Sequence, residues 1–120
     1  MHQFKELIVW QKGRRLVKDI YVVTKNFPKE EIYGITSQIR RSAVSVPANI
    51  AEGCGRNSNP DLNRFLDIAN GSAFELETLL ILSSDLEFIS DKEFLNLDSQ
   101  VQEIQKMIYS FKQSLLKARS

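Results

Sequence analysis

Cysteine and histidine occur once each in this 120-residue chain, at Cys54 and His2. One cysteine makes no internal disulfide, and the pair is too few for a Cys/His zinc site, which suits a reducing cytosol. One histidine near the N-terminus also rules out a Ser/His/Asp set within the fold. A carboxylate-bridged metal pair in a helical bundle draws on Glu-x-x-His patterns from two helices, and Glu52 and Glu75 have no imidazole to join them. No metal or other cofactor is expected. With three prolines and five glycines there are too few turn signals for a many-stranded β protein. The longest uncharged run, Ser42 to Ala51, falls far short of the roughly 20 apolar residues of a membrane helix. Leu7 to Trp10 is too short for the core of a signal peptide. No membrane partner and no small-molecule substrate are therefore expected. Sixteen Lys and Arg balance fifteen Asp and Glu, so bulk charge favours neither nucleic acid nor an acidic tail. The length suits one domain over residues 1–120, able to bury about two-thirds of its unfolded surface.

What the chain does have is helical periodicity. From about Leu7 to Asn26, Val9, Trp10, Leu16, Val17, Ile20, Val23 and Phe27 gather on one face, and Phe27-Pro28 stops the helix. A second helix, from about Glu30 to Glu52, carries Ile32, Ile35, Ile39, Ala43, Val46 and Ile50 and ends at Gly53-Cys54-Gly55. Pro47 lies inside it and predicts a kink, since the apolar period continues through the proline. Asn59-Pro60-Asp61 reads as N-cap, first helical residue and dipole partner of a third helix reaching about Phe88. Its stripe is Leu62, Phe65, Leu66, Ala69, Ala73, Leu76 and Leu80. Ser90 and Glu93 form a capping box for a fourth helix with Leu97, Val101, Ile104, Ile108, Phe111, Leu115 and Ala118 in its stripe. The expectation is an all-α, up-down-up-down four-helix bundle.

Three surface patterns remain. Beside the second core stripe runs a polar row, Gln38, Ser42, Ser45, Asn49 and Glu52, and the third helix has a matching row in Gly71, Ser72, Glu75 and Thr78. These rows are expected to face each other as a hydrogen-bonded network that sets helix register, because polar groups inside a bundle must pair. Charge is also uneven: residues 1–30 hold seven basic and three acidic side chains, residues 61–90 one basic and six acidic. Arg14, Lys18, Lys25 and Lys29 line up away from the first core stripe, with Arg15 beside them and Arg40 and Arg41 on the second helix. Such a row can track a phosphate backbone, or it can pair with the acidic third helix of the same or a neighbouring subunit. Trp10, Tyr21 and Tyr33 are the aromatics that could stack on bases; large rings on or beside an apolar stripe favour packing instead. Third, Phe74, Ile81 and Phe88 recur every seven residues opposite the core, while Tyr33, Val44, Pro47 and Ala51 leave the core side of the second helix. Two such faces predict self-association.

Gln38-Ile39-Arg40-Arg41-Ser42-Ala43, followed by Ser45-Val46-Pro47-Ala48-Asn49-Ile50-Ala51-Glu52-Gly53, is the most specific stretch. With Phe4-x-x-Leu7-x-x-Trp10-Gln11-Lys12, the Phe27-Pro28-x-x-Glu31 break and Gly71-Ser72-x-x-Glu75-Leu76-x-Thr78, it resembles the 23S rRNA-intervening-sequence protein family. That family is named for reading frames inside insertions of bacterial large-subunit rRNA genes and is sometimes labelled ribosomal-protein-like, which describes gene location. The resemblance implies a four-helix bundle, ring-shaped homo-oligomers such as pentamers, and kinship to nucleic-acid-binding bundle proteins of retroelements. It implies no catalytic residues. The resulting expectation is a non-catalytic, cytoplasmic, self-associating bundle that holds structured RNA or other nucleic acid on its basic stripe. An interaction scaffold for another protein, without nucleic-acid binding, is the alternative.

Overall fold

Four α-helices make up the structure, a computed structural model describing residues 2–118: α1 Ile8–Thr24, α2 Ile35–Cys54, α3 Asn59–Asp85 and α4 Asp91–Ala118. Single 3-10 turns at Phe4–Glu6 and Lys29–Glu31 precede α1 and α2, and there is no strand among the described residues. Each helix packs on its two neighbours in the ring α1–α2–α3–α4, while the diagonal pairs α1–α3 and α2–α4 stay apart. Joined by short connections, they form a four-helix bundle measuring 47 × 23 × 20 Å.

The core follows the apolar period. Leu16 and Ile20 of α1, Ile39, Ala43, Val46 and Ile50 of α2, Leu66, Ala69, Leu76 and Leu80 of α3, and Leu97, Val101, Ile104 and Ile108 of α4 are buried in one cluster. Small residues and glycines set the closest approaches. A Cβ on Gly13 would lie 3.3 Å from Pro47 Cβ, so α1 crosses α2 at the proline. A Cβ on Gly53 would meet Leu62 Cδ1 at 2.8 Å and Phe65 Cβ at 2.9 Å, where α2 turns into α3. Gly71 has open space around it.

The helix ends differ from the periodic reading in four places. First, α2 begins at Ile35, because the chain reverses through the Lys29–Glu31 turn and Gly34. Glu31 Oε1 occupies the space a Cβ at Gly34 would need and accepts from Ile35 N at 3.4 Å, capping α2. Ile32 precedes that cap and is 46% exposed, outside the core stripe. Second, the N-cap of α3 is Ser58 rather than Asn59; its Oγ accepts from Asp61 N at 3.3 Å, and Pro60 sits in the first turn, where its missing N–H costs nothing. Third, α3 stops at Asp85. Glu87 takes a left-handed conformation at φ 62°, Glu87 N donates to Ser84 O, and Phe88 N donates to Ser83 O. This paired closure swings Phe88 inward onto Phe27, ring centroids 5.6 Å apart, and away from the outer face shared by Phe74 and Ile81. Fourth, α2 continues through Gly53 and Cys54 before Gly55 caps it. The Ser90–Glu93 box forms in both directions, at 3.0 and 3.1 Å. Ala118, at the end of α4, is exposed.

Carboxylates meet on one seam. Gln102 Nε2 donates to Asp98 Oδ2 at 2.7 Å, and Gln105 Nε2 donates to Glu77 Oε1 at 3.0 Å. Burial raises the Asp98 pKa above its ordinary value, the Gln102 bond opposes this, and the neighbouring Glu77 carboxylate adds to the rise. A raised folded-state pKa favours folding on the acid side and loses that contribution as pH rises through it. Asp98→Asn should therefore raise the thermal midpoint near about pH 7 and give no gain near about pH 3, where the unfolded chain is protonated too. Melting curves at both pH values check this. A second pair of melts tests the glycine contacts. Gly53→Ala should cost about 1–3 kcal/mol through crowding against Phe65 and Leu62, whereas Gly71→Ala, with open space, should gain about 0.5–1 kcal/mol of helix propensity.

Candidate nucleic-acid interface

Spacing on α1 puts Arg14, Lys18, Tyr21 and Lys25 on one side of the helix, facing solvent near α2. All four are exposed, as are Lys29 in the following turn and Arg41 on α2. Two arginines are oriented by aromatic rings. The Arg14 guanidinium lies 5.8 Å from the centre of the Trp10 ring, and the Arg40 guanidinium lies 4.7 Å from that of Tyr21. Arg40 Nε also donates to Thr24 Oγ1 at 2.9 Å, and Thr24 Oγ1 donates to Ile20 O at 2.7 Å. Arg40 is thereby held across α1 and α2, with its charge at the surface.

Arg15 is placed apart. It lines a polar groove of about 520 Å³ between α1 and α4 with Lys12, Gln100 and Glu103, where Lys12 Nζ pairs with Glu103 Oε1 at 3.0 Å. The other ion pairs are Arg56–Glu52, Arg64–Asp61 and Lys112–Asp67. Among the described residues, Arg14, Arg15, Lys18, Lys25, Lys29, Arg40 and Arg41 thus have no carboxylate partner.

An open groove of about 670 Å³ runs beside Arg40. Tyr21, Ile32, Tyr33, Arg40, Arg41 and Val44 line it, and the small or polar Ser37, Ser45, Ala48 and Asn49 complete the lining. No carboxylate lines it. The aromatics do not pack as expected for core rings: Tyr33 is 96% exposed because it precedes α2, and Tyr21 is 40% exposed because it lies on the solvent side of α1. Trp10 is half-buried, edge-to-face on Phe4 at 5.1 Å.

The two polar rows meet more narrowly than a continuous network. Ser45 Oγ and Ser72 Oγ are 2.8 Å apart, the hydroxyl link between α2 and α3, and Asn49 Nδ2 donates to Ser45 O at 2.8 Å and Ser45 Oγ at 2.9 Å. Ser42 is buried and donates to Ile39 O of its own helix. Gln38, Glu52, Glu75 and Thr78 are exposed; Glu52 pairs with Arg56, and Thr78 donates to Phe74 O. For Gln38, Glu52 and Glu75 the physical reason is length: the Ser45 and Ser72 hydroxyls fit the seam, while long amides and carboxylates reach water at its edge and keep their hydration; the Thr78 hydroxyl turns back onto its own helix. Gln38, Arg41, Ser42, Ser45, Ser72 and Glu75 surround a cleft of about 290 Å³ there.

Of the proposed contact residues, Tyr33, Val44, Phe74 and Ile81 are exposed. Pro47 and Phe88 are half-buried by their own chain, against Gly13 and Phe27. Ile68 and Leu82, which the heptad spacing did not include, extend the exposed apolar surface of α3. Reacting chemistry is sparse. Cys54 is buried, and burial pushes its thiol pKa up, away from the nucleophilic thiolate. No group of three or more His, Cys, Asp or Glu side chains suited to a metal occurs among the described residues. No helix among them is long and apolar enough to cross a membrane.

Residues 5–110 match the family model of the 23S rRNA-intervening sequence protein. Among solved structures, the chain is similar to a protein of unknown function from the S23 ribosomal protein family of Bacteroides thetaiotaomicron VPI-5482. The two share 28% identity over 88% of this chain and 98% of that one, with a TM-score of 0.80. No curated protein matches. The chain belongs to the 23S rRNA-intervening sequence protein family.

Proposed function

We propose that this member of the family is a non-catalytic nucleic-acid-binding bundle that uses the α1–α2 face to hold a phosphate backbone. The observation that carries the reading is the set of cations without carboxylate partners. Exposed Lys and Arg side chains with neighbouring carboxylates would form surface pairs worth about 0–1 kcal/mol each. Here Asp61, Asp67 and Glu103 of α3 and α4 pair with other cations, and Arg14, Lys18, Lys25, Arg40 and Arg41 keep their charge available on one side. A row of that kind neutralises phosphates and releases counterions, so binding falls steeply with salt. Arg14→Glu with Lys18→Glu should abolish binding to structured RNA at low salt and lower stability by no more than about 1 kcal/mol, since neither residue is buried or ion-paired among the described residues and only the Arg14–Trp10 contact is lost. Fluorescence anisotropy at two salt concentrations measures this. Salt-insensitive or absent binding by the unaltered protein would leave the protein-scaffold reading in its place.

A second property, self-association, is supported by α3. Phe74 is 53% and Ile81 45% exposed on the side away from the core, and Ile68 and Leu82 are further exposed apolar side chains of α3. In this reading α3 faces a second copy, ring-shaped assemblies such as a pentamer being one arrangement, and the α1–α2 face stays open to nucleic acid. Replacing Phe74 and Ile81 by Lys should lower the mass found by light scattering while circular dichroism stays helical, since charge enters an apolar contact and the core stripe is untouched. An unaltered protein that is monomeric at tens of micromolar would end this reading.

A further inference from the structure

We infer that the groove beside Arg40 takes unpaired nucleotides, with one base stacked on Tyr33. This rests on the nucleic-acid reading of the α1–α2 face and narrows it to single-stranded segments. Three observations converge on one place. The Tyr33 ring is 96% exposed, on the turn that leads into α2, and Ile32 beside it is exposed as well. Left in water, this apolar surface gains nothing from the fold. The same groove contains Tyr21, already covered on one face by the Arg40 guanidinium, and Arg41, with Val44 about one turn further along α2. Its lining includes two guanidiniums and no carboxylate, so an occupant with an apolar planar part and negative charge matches both its shape and its sign.

A nucleotide has that combination: a base with a π-face and a phosphate. Base pairing decides which nucleic acid fits. In a duplex each base is stacked between its neighbours, leaving phosphates and groove edges to a convex helical surface. In a single strand the bases can splay onto aromatic rings while the backbone follows the cations. Arg14 to Lys25 spans about 16 Å of helix axis, the reach of a few nucleotides. The α1 row then guides the backbone, Arg40 and Arg41 hold phosphates at the groove, and Tyr33 presents a ring at its mouth.

The test compares fluorescein-labelled oligouridine of roughly 20 nucleotides with a duplex of equal length at low salt, a length that exceeds the expected footprint. The unaltered protein should bind the single strand at least roughly tenfold more tightly than the duplex. Tyr33→Ala should weaken single-strand binding by about 5- to 150-fold, the range set by loss of one stacked base, and leave duplex binding unchanged. Tyr33→Phe should bind as the unaltered protein does, since it keeps the ring. Equal affinity for strand and duplex, or a Tyr33→Ala change of less than about twofold, overturns the stacking site. So does a drop in oligomeric mass on Tyr33→Ala, which would assign the ring to a subunit contact. Loss of binding on Arg14→Glu with Lys18→Glu, alongside an inert Tyr33→Ala, leaves the nucleic-acid reading standing and removes only the base site. Failure of the unaltered protein to bind either probe removes both.

Discussion

The close packing of α2 on α3 is the constraint from which the rest of the bundle is arranged. At one end Gly53 has no room for a side chain against Leu62 and Phe65, and further along Ala43 faces the same core as Ala69 and Ala73. Small residues let two long helices approach, and close-packed apolar contact is what holds them there. That proximity dictates the polar chemistry of the seam. Among the described residues the short hydroxyl side chains of Ser45 and Ser72 bridge it, and the long Gln38, Glu52 and Glu75 emerge at its rim. With α3 fixed on one flank of α2, α1 closes on the other, where Gly13 receives Pro47.

The two halves of the surface then diverge in charge. On the α3–α4 side several carboxylates have partners: Asp67 with Lys112, Glu77 with Gln105, Asp98 with Gln102, and Glu103 with Lys12 of α1. On the α1–α2 side Arg14 has an aromatic ring, and Arg40 a ring and a threonine hydroxyl, instead of a carboxylate. A guanidinium stacked on a ring stays charged and keeps N–H groups free for an anion. The Arg40–Thr24–Tyr21 cluster therefore joins two helices and presents a fixed positive charge in a single arrangement. Its Thr24 hydroxyl is buried and satisfied on both sides, as donor to Ile20 O and acceptor from Arg40 Nε.

Much of this was legible in the amino-acid sequence. The apolar stripes of all four helices, the proline break after Phe27 and the Ser90–Glu93 box were readable because each depends on backbone geometry within one element, where side chains three or four apart share a face. The row of cations on α1 was readable for the same reason. Less visible was the start of α2. Ile32 fits the period of the helix, but Glu31 caps that helix at Ile35 through the space left by Gly34, so Ile32 falls outside it. Phe88 likewise continues a heptad, yet the left-handed Glu87 ends α3 and turns the ring inward.

By itself, then, the sequence determined a helical bundle, nearly all of its core and the existence of a basic stripe, since periodicity and residue type are local properties. The tertiary structure alone decided which charges have partners and which rings stay wet. Arg15 and Arg14 are adjacent in the chain, but one faces the α1–α4 groove and the other lies over Trp10 toward α2. Tyr33 is aromatic and next to a core-like isoleucine, and it is exposed only because the chain reverses at Gly34 before the helix begins. Which helix packs beside another sets the neighbours of each side chain, and neighbours, through burial and Coulomb contact, determine whether a cation or a ring is available to a ligand.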